Sequence, residues 1–194
     1  MGTILLTGGA GFIGSHVAAR LLARGSDVVC LDDFNDYYDP AFKRENVESF
    51  RGNPRWHLVE GDIRNTDLVE ETYRAFGVTE TVHLAARAGV RPSIRDPRLY
   101  EEVNGIGTLN LLEGARRTGA RTFVFGSSSS VYGVNSKVPF SEEDPLTSPV
   151  SPSRSWWRGS PASRPMRTST STWSGRTRSC GAWTRPRCRS GSPT

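Results

Sequence analysis

The sequence predicts an α/β protein built on a doubly wound parallel sheet, and three observations carry that prediction. Short apolar runs alternate with segments of helical period between residues 3 and 125. A glycine-rich turn, with Gly8, Gly9, Gly11 and Gly14, joins the first run to the first helical segment. An acidic pair, Asp32-Asp33, closes the second run. Strands that alternate with helices form right-handed crossover units, which place the strands parallel.

Thr3 to Thr7 is a short apolar run stopped by glycine, as expected of a strand buried on both faces. Phe12 to Arg24 repeats apolar residues at Phe12, Ile13, Val17, Leu21 and Leu22, a helical stripe that Gly25 closes. Asp27 to Leu31 is the second strand. The polar, aromatic loop Asn35 to Pro40 leads into a helix through Phe50. Arg55 to Glu60 is the third strand, followed by the loop Gly61-Asp62-Ile63 and a helix over Asp67 to Phe76. Thr81 to Ala85 is the fourth strand, and Tyr100 to Arg117 reads as one long helix. Arg121 to Phe125 is the fifth strand, and it runs into Gly126 and four serines, Ser127 to Ser130. It would be an edge without a further strand or covering helix, and such edges invite aggregation.

Composition divides the chain into residues 1–150, the folded part, and a tail, residues 151–194. The first part carries 16 Lys and Arg against 20 Asp and Glu, while the tail carries nine Arg and no acids. The net charge of +5 therefore belongs to the tail, and a mildly acidic first part argues against a nucleic-acid-binding domain there. The tail also holds 11 Ser and four Trp but no Leu, Ile, Val, Phe or Tyr. Such a composition buries too little apolar area to offset backbone ordering, about 1–2 kcal/mol per residue, so a disordered or poorly packed segment is expected. Cys30 lies in an apolar run and should pack as a small hydrophobe. Cys180 and Cys188 lack metal-type spacing with histidines, so no metal site or disulfide framework is expected. The opening apolar run breaks at Gly8-Gly9, too early for a signal peptide or a membrane span, and a cytoplasmic setting is expected.

Gly8, Gly11 and Gly14 each have a physical task in a turn that receives a diphosphate. One makes the tight turn, one lets backbone approach the pyrophosphate, and one lets helix pack on strand. Free N–H groups at the helix start would hold the anion. A glycine turn alone can also be purely structural. The acid 18 residues beyond Gly14, Asp32, stands where a ribose diol is held, and its charge favours NAD over NADP. Asp62 could accept from an adenine amino group or simply cap a helix. Leu84, Ala85 and Ala86 offer small side chains at a strand's carboxyl end, useful for a close ligand or for packing alone. The serines sit beside the switch point, where a hydroxyl could bond a substrate hydroxyl or merely form a loop. His83 reads as a packing histidine.

Taken together, Thr7 to Gly14, Asp62-Ile63, His83 to Ala86, Asn104 with Gly107-Thr108, and Ser127 to Gly133 resemble the extended short-chain dehydrogenase/reductases. Within these NAD-dependent epimerases and dehydratases, which have Rossmann-like domains, Asn35 to Asp39, Ala88 to Arg91 and Pro139 to Ser141 are similar to UDP-glucuronate 4-epimerases, relatives of UDP-glucose 4-epimerases. The resemblance spans about residues 1–152. It implies NAD as cofactor, a UDP-sugar substrate, and epimerisation at C4 by hydride removal and return. It implies that Gly8, Gly11, Phe12, Ile13 and Gly14 hold the pyrophosphate and that Asp32 holds the adenosine ribose. Asp62 and Ile63 would meet the adenine, Leu84, Ala85 and Ala86 the middle of the dinucleotide, and Asn104 would be a further contact. Ser128 matches the assisting catalytic hydroxyl, with Ser127 and Ser129 beside the substrate. A homodimer is implied too, through helices of which this chain carries only part.

The resemblance fails at one position. Counted from Ser128, the family's tyrosine base falls on Ser153 and its lysine on Trp157. Serine cannot replace a phenol of ordinary pKa about 10 that can be drawn down, and an indole supplies no cation. A tyrosine codon TAC that loses its A begins as a serine codon, and Arg/Ser/Pro/Thr/Trp-rich sequence is what GC-rich DNA encodes out of frame. The sequence therefore leaves three readings: an epimerase-derived chain without native activity, a non-catalytic dinucleotide-binding module, or a cationic tail that binds nucleic acid through arginine and stacked tryptophan.

Overall fold

β1 (Thr3–Thr7) lies at the centre of a five-stranded sheet because its side chains are apolar on both faces. The computed structural model describes residues 2–133 and 139–144. Leu5 packs with Val69, Tyr73, Leu111 and Ala115 on one face, and Leu6 packs with Ala18 and Val28 on the other. Both leucines are 0 % exposed. The remaining strands are β2 (Asp27–Asp32), β3 (Trp56–Glu60), β4 (Val78–His83) and β5 (Thr122–Phe125). Their order is β3-β2-β1-β4-β5, and every neighbouring pair is parallel. The chain steps outward from β1 to β3, then crosses back to β4. That reversal puts the switch point at the carboxyl ends of β1 and β4.

Helices cover both faces. α1 (Phe12–Ala23) backs the Leu6 side, whereas α3 (Thr66–Ala75) and α6 (Thr108–Thr118) back the Leu5 side. Gly114 lets α6 approach α3, since a Cβ there would come 2.8 Å from the Tyr73 ring. α2 (Pro40–Glu48) follows β2; Asp39 caps it by accepting from the Ala41 amide, and Pro40 fixes its first turn.

The doubly wound parallel architecture agrees with the sequence prediction, and three local features differ from it. β4 begins at Val78 and ends at His83, not at Thr81 and Ala85. Thr79 and Glu80 in its first half are polar and only partly buried, so that half lacks the continuous apolar run that marks β1. Beyond His83 the Leu84 amide is shared between the Thr7 carbonyl at 3.1 Å and the Thr7 hydroxyl at 3.2 Å, and the Ala85 amide turns to the hydroxyl at 3.2 Å. The long helix over residues 100–117 is interrupted by one π-helical turn (Glu102–Gly107). Two short helices, α4 (Val90–Arg95) and α5 (Pro97–Glu101), precede it; at six and five residues they are too brief to show a period.

β5 pairs only with β4 among the described residues, and its Val124 and Phe125 are 47 % and 50 % exposed. Cys30 is buried, as expected, and burial followed by the nearby Asp32 charge pushes its thiol up to about 12. Among the described residues no helix is long and apolar enough to cross a membrane. The tail of residues 151–194, with Ser153, Trp157, Cys180 and Cys188, lies outside the described residues.

Candidate functional site

The carboxyl ends of β1, β2 and β4 open on a cavity of about 210 Å³. Gly8, Gly11, Asp32, Asp62, Ile63, Leu84, Ala85 and Ala86 all line it, so residues separated by up to 78 positions share one wall. A wider groove of about 480 Å³ is lined only by residues of α3 and takes no part in this arrangement.

The glycine turn is shaped by close backbone packing. Gly8 has φ +69°, and a Cβ there would lie 2.7 Å from the Ala85 nitrogen. A Cβ on Gly14 would collide with the Gly8 carbonyl oxygen. Neither position accepts a side chain without moving backbone. α1 begins directly after Gly11, which supplies no side-chain cap, and no acid stands in the first turn. Phe12 and Ile13 are 74 % and 66 % exposed at that helix start, with only the His16 ring against Phe12.

Asp32 is 5 % exposed and fixed from three sides. Its Oδ2 accepts the Ala10 amide at 3.1 Å and its Oδ1 the Phe34 amide at 3.0 Å, while the Lys43 ammonium lies 3.4 Å from Oδ1. Phe34 reaches it only by adopting φ +46°, a strained conformation for a non-glycine residue. A carboxylate has about four acceptor sites, so one remains for a ligand hydroxyl. Lys43, equally buried, also lies 3.7 Å from Asp33 Oδ1, and its charge is shared between the two acids. Nothing in the sequence pattern announces Lys43 except its rarity, for residues 1–150 hold two Lys against 14 Arg.

Asp62, also in the cavity lining, is clamped by Arg64 through the backbone amide at 2.8 Å and Nε at 2.9 Å. Burial opposes its ionisation, but the Arg64 hydrogen bonds and the Arg64 and Arg87 charges outweigh burial and hold the carboxyl below its ordinary range. Ile63 is buried beneath the π-helical turn, where a Cβ on Gly107 would come 2.6 Å from its side chain.

Behind the Leu84–Ala86 wall runs a hydrogen-bonded relay. Thr7 Oγ1 accepts from the Leu84 and Ala85 amides and therefore donates its proton to His83 Nδ1, 2.6 Å away. His83 Nε2 then carries the ring proton and donates to Thr108 Oγ1 at 2.9 Å, which donates to the Asn104 carbonyl at 2.7 Å. Burial holds His83 neutral, with its pKa lowered to about 4. Asn104 is not among the cavity's lining residues: its amide accepts from the Arg87 nitrogen at 2.8 Å and donates to the Arg87 carbonyl at 3.0 Å.

Ser127, Ser128 and Ser129 follow β5 and are exposed, outside the cavity lining. Ser128 caps a short 3-10 turn, with its Oγ accepting the Ser130 amide and donating to the Ser130 hydroxyl, both at 3.2 Å. Among the described residues no group of three or more His, Cys, Asp or Glu is placed to hold a metal.

A parallel sheet with a glycine turn and a buried acid over a switch-point cavity defines a Rossmann-like domain by its architecture. The chain belongs to the GDP-mannose 4,6 dehydratase family, whose sequence model matches residues 5–153. It is 45 % identical over 150 residues to UDP-glucuronate 4-epimerase 4 of Arabidopsis thaliana, covering 77 % of this chain and 34 % of the plant protein. The solved UDP-glucose 4-epimerase of Thermus thermophilus, a complex with NAD, is 40 % identical with a TM-score of 0.65, covering 77 % of this chain and 45 % of that one. The UDP-glucose 4-epimerase of Bifidobacterium longum, in complex with NAD+ and UDP, is 33 % identical with a TM-score of 0.67, covering 77 % and 44 %. The chain thus spans about a third of the plant relative and less than half of either bacterial enzyme.

Proposed function

We propose that residues 1–150 are the NAD-holding part of a nucleotide-sugar 4-epimerase, and that this chain does not complete the epimerase reaction. One observation carries the first half: the glycine turn and Asp32 line a single cavity at the switch point. The cavity fits the group. Its turn has no room for a Cβ at Gly8 or Gly14, and Asp32 keeps one acceptor site. The amides of Phe12 and Ile13 at the start of α1 would take the diphosphate, with Gly11, whose own amide donates to the Gly8 carbonyl at 3.2 Å, letting it approach and Gly14 behind them. Asp32 would accept from the adenosine ribose, Asp62 and Ile63 would meet the adenine, and Leu84 to Ala86 would flank the middle of the dinucleotide. Asn104 would act at one remove, by holding the Arg87 backbone. NAD favours this cavity over NADP because Lys43 is committed to Asp32 and Asp33 and offers a 2′-phosphate no spare cation.

When bound, NAD supplies a reversible hydride acceptor for C4 of a UDP-sugar. In such a reaction Ser128 would hydrogen-bond the substrate hydroxyl, with Ser127 and Ser129 beside it. The base is what the chain lacks: Ser153 and Trp157 occupy the places of the family's tyrosine and lysine. The family match ends at residue 153, which agrees with a break there. A one-base slip at that codon explains both the ending of the match and the change of composition. Sequencing the DNA through residues 148–160 tests the slip, and an intact frame would end that idea.

Equilibrium dialysis of the full chain against NAD+ and NADP+, with UDP-glucuronate turnover followed in parallel, tests the function. The expected result is saturable NAD+ binding, weaker NADP+ binding and no conversion to UDP-galacturonate. Measurable conversion overturns the second half; a folded chain that retains no NAD+ at millimolar concentration overturns the first.

A further inference from the structure

We infer that Arg87 is a further ligand-binding residue, whose guanidinium takes a phosphate oxygen of the bound dinucleotide. The inference rests on the cavity being a dinucleotide cradle and adds to it the cation that the glycine turn lacks. Arg87 lines the cavity directly after the Leu84–Ala86 wall. Its Nε is buried and is the only buried side-chain nitrogen or oxygen among the described residues without a hydrogen-bond partner. Folded chains retain few such groups, because a donor removed from water without an acceptor costs stability. One that persists in the wall of a cavity marks where an acceptor arrives.

The other cations near the cavity are already committed. Lys43 lies between Asp32 and Asp33, and Arg64 is bonded to Asp62 and to Glu102, at 3.3 Å for the latter. Arg87 forms no ion pair among the described residues, although its charge is felt by Asp62 and by Tyr100. Its backbone is pinned at both ends by Asn104, so the side chain leaves from a fixed point. A diphosphate brings two negative charges into a cavity already lined by Asp32, Asp33 and Asp62. Amide dipoles at the start of α1 answer part of that charge, and a guanidinium answers it with charge-assisted, paired hydrogen bonds.

Isothermal titration of the full chain with ADP-ribose, and saturation-transfer NMR with adenosine, test the role in wild type, Arg87→Gln and Arg87→Lys. Arg87→Gln should weaken ADP-ribose about tenfold to a hundredfold, the scale of one charged hydrogen bond, and leave adenosine unchanged. Arg87→Lys should fall between. The ligand-free melting temperature of Arg87→Gln should stay level or rise, because an unsatisfied donor has been removed. A glutamine variant that binds ADP-ribose like wild type overturns the role of Arg87 and leaves the cradle intact. A variant that melts lower and loses both ligands equally overturns it in favour of a structural role. A wild-type chain that binds neither NAD+ nor ADP-ribose overturns the cradle itself.

Discussion

Acidification should destabilise the fold through His83 before the carboxylates titrate. The ring is buried and neutral, with its pKa lowered to about 4 from an ordinary 6.5. In the unfolded chain His83 takes a proton below pH 6.5, while in the folded chain it stays neutral until about 4. The unfolded state therefore binds more protons inside that window, and stability present above 6.5 is lost progressively as pH falls to about 4. At about 1.4 kcal/mol per pH unit the whole window is worth about 3 kcal/mol. Burial is what resists protonation in the folded protein, and the relay is arranged for the neutral ring. Thr7 already gives its proton to Nδ1, so a charged ring would force that hydroxyl to accept from three donors at once. Urea midpoints at several pH values between 7 and 5, for wild type and His83→Gln, isolate the effect. Wild type should lose about 1.4 kcal/mol more per pH unit than the variant below pH 6.5. Equal slopes for the two proteins would refute the assignment of a buried neutral imidazole.

Other expectations follow from the same contacts. Gly14→Ala forces a methyl against the Gly8 carbonyl and should cost about 1–3 kcal/mol in a denaturant titration, with loss of NAD+ binding. Asp32→Ala leaves the buried Lys43 ammonium with only Asp33, 3.7 Å away, and should destabilise by up to about 3–5 kcal/mol, whereas Asp32→Ala combined with Lys43→Met should recover much of that. Asn104→Ala frees the Arg87 backbone and should speed amide hydrogen exchange at Arg87 while the β1 amides stay protected. Val124→Lys places a charge on the exposed edge strand and should reduce concentration-dependent light scattering.

The parts of this molecule that the sequence reveals are those written in local pattern. TILLT and DVVCL read as buried strands because both faces of the sheet are covered, and the first glycines and Asp32 stand at a spacing that the fold requires. β4 is legible only in part because Thr79 and Glu80 interrupt its apolar run, although Val78 is buried and paired with Thr3. The π-helical turn has no periodic signature; it arises where Gly107 yields space to Ile63, 44 residues away in the chain. Long-range partnerships are hidden for the same reason. His83 reads as a packing residue, and only the fold brings Thr7 and Thr108 to its two nitrogens. Arg87 does leave a trace, as a lone charge directly after the small apolar residues Leu84-Ala85-Ala86. Its missing hydrogen bond is visible only in three dimensions.

The most direct test is a map of amide chemical-shift changes as the ¹⁵N-labelled full chain is titrated with NAD+. A dinucleotide held between the glycine turn and Asp32 should move the amides of Gly8, Gly11, Ile13, Phe34, Ile63 and Ala85 together, along one binding curve. Shifts confined to other surfaces, or none from a well-dispersed spectrum at millimolar NAD+, would contradict the account.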